Sequence, residues 1–357
     1  MKPVYLKTKT DFTKIGDDSP IIVNCNVGAN DSHSLRYERE KIDALFSIIE
    51  TTPDSIMDLS IFDKQGILLQ YIIDNYNVPT GVVPIYAFKE TESLDTQSLL
   101  YQIEHYAKLG VSFMTLHFTA DLDLYQKAKL CRKIPCTSRG GAIILKDAYK
   151  RKGCNIYREC LDEIVKLAKK YNFVISLGTT FRPAGIEEAC DEIHLLETER
   201  QITLCHYLQD KGVSVMLENV GHISLDKIAK HSNLLRKANA PIMPLGPIVI
   251  DSAVGYDNIA ASIGGAFMGF YGVAHIINAI SSVEHISSFF SIKNAKEAVV
   301  SAKIAATSVN VFRFPEIMKK ETYIYEKRAA RHSCIASGTE ECKRCNVLCP
   351  LKTKIDD

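Results

Sequence analysis

Between residues 20 and 250 the chain repeats one pattern, a short β-rich apolar run followed by apolar residues at helical spacing. The runs are Ile21 to Val27, Ser55 to Ser60, Gly81 to Tyr86, Phe113 to Phe118, Ile134 to Arg139, Val174 to Thr179, Ser214 to Asn219 and Ile242 to Val249. Ile42, Leu45, Phe46 and Ile49 carry the helical period after the first run, and Cys160, Leu161, Ile164, Leu167 and Ala168 carry it before the sixth. Eight such units in one series, with no low-complexity linker, predict an α/β fold of the (β/α)8 TIM-barrel type, with a doubly wound open sheet as the alternative. A length of 357 residues suits one barrel with an appendage. The expected divisions are a barrel over 1–255, a C-terminal helical region over 256–330 and a cysteine-rich metal-binding tail over 331–357.

Charge is nearly balanced, 43 Lys and Arg against 42 Asp and Glu, so no global field draws nucleic acid or an anionic membrane. The 11 cysteines are odd in number and scattered through predicted strands and helices, and the N-terminus has no apolar signal run, which together point to a reduced cytoplasm. Asn258 to Val283 carries no Asp, Glu, Lys or Arg. Its glycines, His275 and lack of basic flanks favour a buried helix over a membrane span. Gly265 and Gly269 would admit another backbone, from the barrel or from a partner subunit.

Chemistry in such a barrel sits where the strands end. Nearly every exit carries a polar or ionisable group: Asn24 and Asn26; Met57, Asp58 and Ser60; Tyr86; His117; Ser138, Arg139 and Gly140; Thr179, Thr180 and Arg182; Glu218 and His222; with Met243 at the last. Ser138-Arg139-Gly140-Gly141 offers a hydroxyl, a guanidinium and backbone amides ahead of a helix, a combination suited to a phosphate, and Arg182 offers a second cation. His222 and His285 are candidates to share a divalent metal through neutral imidazoles, or else ordinary loop histidines. In the tail, Cys342, Cys345 and Cys349 are spaced C-x2-C-x3-C and closed by Pro350, a metal-thiolate pattern. A four-iron cubane held by three thiolates leaves one iron open to bind and cleave a ligand; with Cys334 as fourth ligand the same stretch becomes a structural zinc knuckle.

The ordered series Asn24-Cys25-Asn26-Val27-Gly28, Met57-Asp58-Leu59-Ser60, Val83-Pro84-Ile85-Tyr86, Ser138-Arg139-Gly140-Gly141, Arg182-Pro183, Gly221-His222, Leu245-Gly246-Pro247, Gly255-Tyr256-Asp257 and Glu284-His285, followed by the terminal cysteines, resembles the phosphomethylpyrimidine synthase (ThiC) family, which includes the hydroxybenzimidazole synthases. The resemblance implies a (β/α)8 barrel that binds 5-aminoimidazole ribotide. It also implies a C-terminal 4Fe-4S cluster that binds S-adenosylmethionine, an external electron donor and a homodimer. Reductive cleavage would give a 5′-deoxyadenosyl radical that abstracts hydrogen from the substrate ribose and starts a rearrangement. Carried over by position, the substrate contacts are Asn26, Met57, Tyr86, His117, Ser138, Arg139, Gly140, Arg182 and Glu218. A second metal, zinc or iron, falls on His222 and His285, and the cluster on Cys342, Cys345 and Cys349.

The chain departs from the family pattern at four places. Its last cysteine spacing is one residue short, Thr179 and Thr180 replace an acidic residue and glycine, Val220 replaces a proline, and Met243 replaces a tyrosine. Lost hydrogen bonds at a pocket can change substrate preference strongly. Three functions therefore stand in view: a lyase making the hydroxymethylpyrimidine phosphate of thiamin, an enzyme turning the same substrate into 5-hydroxybenzimidazole or another product, and a non-catalytic binding paralogue with structural zinc.

Overall fold

The computed structural model describes residues 1–89 and 94–353. The chain opens with an antiparallel hairpin of β1 (Val4–Lys7) and β2 (Phe12–Ile15). Then come β3 (Ile22–Val27), α1 (Ser32–Phe46), β4 (Ser55–Asp58), α2 (Ile67–Asn75), β5 (Thr80–Val82), α3 (Thr96–Leu109) and β6 (Phe113–Leu116). Four helices, α4 (Leu122–Cys131), α5 (Arg139–Arg151), α6 (Ile156–Glu159) and α7 (Leu161–Tyr171), lie between β6 and β7 (Val174–Leu177). The remainder is α8 (Glu192–Asp210), β8 (Val215–His222), α9 (Leu225–Leu235), β9 (Ile242–Ile248), α10 (Asp257–Phe270), β10 (Ile276–Ala279), α11 (Ile292–Arg313) and α12 (Pro315–Ala330).

Strands β3 to β10 form one parallel sheet in the order β10-β3-β4-β5-β6-β7-β8-β9. Its ends meet: the His275 N–H donates to the Ile242 carbonyl at 2.9 Å, and the Asn278 amide to the Pro244 carbonyl at 3.2 Å. The expected barrel results. Its short strands are buried along almost their whole length, as a parallel sheet flanked by helices requires. Inside the seam Asn24 donates to Asn278 at 2.7 Å and accepts from the Ser55 hydroxyl at 2.9 Å. The β1–β2 hairpin covers the N-terminal end. The Lys7 ammonium reaches the Tyr171 carbonyl just before β7, the Ser112 hydroxyl reaches the Lys7 carbonyl just before β6, and Val4, Leu6 and Ile15 are buried. Helices begin on side-chain caps from Asp31, Asp95, Asp121, Ser138, Asn155 and Asp191, each accepting a first-turn N–H.

Two elements differ from the sequence expectation. Ile134 to Arg139 is not a strand: β6 pairs directly with β7, Phe113 opposite Val174. Pro135 cannot donate to a ladder and Ser138 is already the cap of α5, so the segment is a loop whose Thr137 bonds to the Thr180 and Arg182 carbonyls instead. The eighth strand is β10, inside the charge-free stretch expected to be wholly helical. α10 stops at Phe270, Gly272 turns at φ +70°, and the following apolar run pairs with β3. The barrel therefore runs past residue 255. The chain divides into two compact units, Met1–Ala306 and Thr307–Asp357. The second holds the end of α11, the exposed helix α12 and two 3-10 turns, Asn346–Leu348 and Pro350–Lys352. Among the described residues no helix is long and apolar enough to cross a membrane.

Gly81 of β5 is filled from across the sheet, because a Cβ there would lie 2.1 Å from the Phe113 ring. Gly81→Ala forces that ring out of a packed layer and is expected to destabilise the barrel by about 1–3 kcal/mol, read as a lower urea midpoint at unchanged slope.

Candidate functional site

The loops at the C-terminal ends of β5 to β8 converge on one group of side chains. Pro84 ends β5 and starts a 3-10 turn, which buries Tyr86. The Arg139 guanidinium lies over the Tyr86 ring at 5.1 Å. His117 follows β6 and meets Ser138, the cap of α5, at 2.8 Å from Nε2 to Oγ. Ser138 Oγ also accepts the Gly141 N–H at 3.2 Å. Burial, and then the Arg182 charge, push the imidazole down to about 3 and keep it neutral, and its Nδ1 has no partner among the described residues.

Helix α5 comes this close because Gly140 and Gly141 have no side chains. A Cβ on Gly140 would lie 2.3 Å from His117, and one on Gly141 would lie 2.4 Å from Thr180. The result is a helix N-terminus set against the strand ends, with one guanidinium on its first residue.

Arg182 is partly buried and makes long bonds, 3.5 Å and 3.4 Å, to the Thr179 and Thr137 carbonyls. Its loop is held from beneath. The buried Glu197 carboxylate accepts the Thr180 N–H at 2.6 Å, the Phe181 N–H at 2.8 Å and the Thr119 hydroxyl at 2.7 Å. Arg132 clamps Asp191 through two bonds of 2.7 and 2.6 Å and donates a third to the Phe181 carbonyl. Glu218 on β8 is buried and takes the Thr115 hydroxyl at 2.5 Å. Burial pushes its carboxyl up to about 7, against the pull of the Thr115 bond and the Arg182 charge. The Thr179 and Thr180 hydroxyls are buried without partners among the described residues.

Asn26 and Met57 are cross-strand partners on β3 and β4. Asn26 accepts from Asn24 at 2.9 Å, and Met57 is packed in the core. No hydrogen bond among the described residues joins this pair to the His117 group.

His222 and His285 stand beside each other, ring centroids 5.2 Å apart and edge-on. His222 Nδ1 meets Asp251 at 2.7 Å and His285 Nδ1 meets Asp257 at 2.8 Å. A carboxylate on each Nδ1 fixes the tautomer and leaves each Nε2 lone pair for a cation. The chain reaches this arrangement through a bulge at the end of β8, where the ladder slips between Val220 and His222 and both Val220 (φ +86°) and Gly221 (φ +98°) are left-handed. The two carboxylates, together with Glu197 and Thr115, escape a reading of the sequence. Asp251 lies 29 residues from His222, and Asp257 reads as a first-turn acid of α10.

In the second unit, Cys342, Cys345 and Cys349 are free thiols, partly or fully exposed. The chain between the last two folds into a 3-10 turn in which the Leu348 N–H returns to the Cys345 carbonyl and Asn346 is left-handed.

Known proteins match this chain along its length. The family model described as the radical SAM ThiC family matches residues 3–340. The phosphomethylpyrimidine synthase of Thermotoga petrophila is 33% identical over 88% of this chain and 75% of its own. That of Pyrococcus furiosus is 30% identical over 95% of this chain and 85% of its own. Among solved structures, Xanthomonas albilineans dihydropteroate synthase with 4-aminobenzoic acid aligns over 88% of this chain and 99% of that one at 9% identity and a TM-score of 0.50, a likeness of fold alone. The chain belongs to the radical SAM ThiC family.

Proposed function

We propose that this enzyme rearranges 5-aminoimidazole ribotide to 4-amino-5-hydroxymethyl-2-methylpyrimidine phosphate, the pyrimidine of thiamin, in the cytoplasm. The observation that carries the reading is the convergence of His117, Ser138, Arg139, Arg182 and Glu218 on one end of the barrel. The substrate phosphate is assigned to the α5 N-terminus, with Arg139 and Arg182 as its cations. His117 offers a neutral imidazole through Nδ1, and Glu218 an acceptor for the substrate amino group. Asn26, Met57, Tyr86 and Gly140 shape the remaining wall.

The family implies a 4Fe-4S cluster and S-adenosylmethionine. The donor set suits a cluster: Cys342, Cys345 and Cys349 are unpaired, accessible thiols close in sequence, the last two flanking one 3-10 turn. When bound, the cluster supplies the electron, received from an external donor, that cleaves S-adenosylmethionine reductively. The histidine pair suits a divalent ion, zinc or iron, held by His222 and His285 and oriented by Asp251 and Asp257. A homodimer is the proposed assembly, with exposed apolar side chains such as Ile263 and Phe267 of α10 available to a second copy. A second product is favoured by one observation. Met243, opposite Glu218 in the β8–β9 register, is fully buried and apolar, so the wall there cannot donate the hydrogen bond of a phenol.

An anaerobic reaction with reconstituted iron and sulfide, S-adenosylmethionine, reductant and aminoimidazole ribotide is expected to yield 5′-deoxyadenosine and the pyrimidine phosphate. The product mass separates this from a benzimidazole. Cys345→Ser should abolish both compounds, and zinc-filled protein without labile sulfide would instead leave a binding paralogue.

Ligand binding should depend on pH through Glu218. As pH rises through about 7 the carboxyl loses its proton and becomes a full acceptor. Affinity for a non-reactive aminoimidazole ribotide analogue should therefore increase across that interval in calorimetric titrations. Glu218→Gln should flatten the rise and weaken binding about 10- to 100-fold at the alkaline end.

Asp257→Ala removes the acceptor that orients His285. A fall of about 10- to 100-fold in divalent-metal affinity is expected in a chelator competition, with the α5 anion site unaffected.

A further inference from the structure

Cys190, His194 and His231 take no part in the chemistry described above, yet they converge where the loop after β7 enters α8 and packs on α9. One donor atom from each lies within 4.8 Å of the other two. The two rings stand 4.2 Å apart between centroids. Both imidazoles are almost wholly buried, while Cys190 is half-exposed.

The hydrogen bonds of this cluster are incomplete in one direction. His194 Nδ1 accepts the Cys190 N–H at 3.1 Å, and its Nε2 has no partner among the described residues. His231 Nε2 donates to the Asn219 oxygen at 2.7 Å, and its Nδ1 has no partner. Asn219 lies beside both rings but is fully used: its amide hydrogens go to Thr198 and Gln201, and its oxygen also takes the Val220 N–H. Two buried ring nitrogens without partners are costly, and such atoms call for an ion or a water. Burial also keeps both rings neutral, His194 pushed down to about 3 and His231 well below its ordinary value, which is the form that ligates metals. Cys190 presents its thiol from a left-handed turn at φ +62°, a conformation that a non-glycine residue rarely adopts without a local reason.

We infer that Cys190, His194 and His231 form a further metal site, for a thiophilic divalent cation of the zinc class, which ties the loop bearing Arg182 to α8 and α9. Two imidazoles and one thiolate match zinc ligand chemistry, with a water or an exogenous group as fourth ligand. Tetrahedral bond lengths place two nitrogens and a sulfur about 3.3–3.6 Å apart, so closure on the ion takes a movement on the order of 1 Å. Binding releases the Cys190 thiol proton to solvent. It also moves the His194 ring proton from Nε2 to Nδ1, which frees the Cys190 amide and lets the strained turn shift toward the ion.

The test is residue-resolved alkylation of the full-length, metal-stripped chain with iodoacetamide, with and without zinc, read by mass spectrometry. Zinc is expected to slow labelling of Cys190 at least about tenfold while exposed Cys131 and Cys154 label as before. His194→Gln should abolish that protection without changing the zinc-free rate. Cobalt provides the second reading. Its thiolate charge-transfer band should persist in a full-length chain carrying Cys334→Ser, Cys342→Ser, Cys345→Ser and Cys349→Ser, and vanish when Cys190→Ser is added. A Cys190 labelling rate indifferent to zinc, protection that survives His194→Gln, or a cobalt band absent from the tail-substituted chain or unmoved by Cys190→Ser would overturn the assignment.

Discussion

A parallel sheet of eight strands has two raw edges until its end strands meet, and every feature of the rim depends on that meeting. The strand that completes the circle, β10, pairs with β3, and the Asn24–Asn278 bond crosses 254 residues of chain. Such a closure costs chain entropy before it returns any contact. The seam repays it with a buried polar relay, Ser55 to Asn24 to Asn278 to the Pro244 carbonyl, in which each amide is satisfied. Removing any one amide would leave its neighbours desolvated and unpaired, a larger loss than one hydrogen bond. Closure also decides which residues are neighbours at the rim, since it places the loop after β10, with His285, beside the end of β8, with His222.

Ionisable groups are buried in this barrel where a loop must be held still. Glu197 takes three donors at once, two of them the successive backbone amides of Thr180 and Phe181, and Arg132 grips both Asp191 and the Phe181 carbonyl. A buried charge is tolerable when it is paired or held by several hydrogen bonds, and each of these groups has three. Arg182, between the two anchored points, is less completely bonded and has the longest contacts of the group. Its field reaches His117 and Glu218 alike, adding to the burial that holds the first neutral and opposing the burial that raises the second. A base kept neutral and a carboxyl poised near neutrality within one cationic field form a responsive pair of donor and acceptor.

The sequence was legible wherever one residue's own preferences decide its structure. Ile21 to Val27 or Phe113 to Phe118 can hardly be anything but buried strands, and Ser138 before two glycines announces a helix start. Ile134 to Arg139 misleads because its apolar and β-branched content outweighs one proline on a count, while a single missing donor settles the matter in a ladder. Val273 to Ala279 hides for the opposite reason. A stretch without charges gives the same pattern whether it is a buried helix or a buried strand, and only the partner β3 distinguishes them. At the site, the histidines could be picked out by type, but their carboxylates could not. Asp251 and Asp257 gain their roles from a bulge and a helix start that bring them to imidazole nitrogens, and neither spacing repeats a local motif.

The bulge is where these separate observations join. A valine at φ +86° is strained, and it persists because Asn219 accepts the Val220 N–H at 2.7 Å. Asn219 is itself immobilised by Thr198, Gln201 and His231. A continuous line of contacts therefore runs from the buried His194–His231 pair through Asn219 to the Val220–Gly221 kink, and the kink aims His222. A cation on His231 Nδ1 would make its Nε2–H a stronger donor to Asn219 and stiffen the same line. Local backbone strain of this kind is stable only while its supports are, so the orientation of His222 is set as much by the packing behind β8 as by Asp251 in front of it.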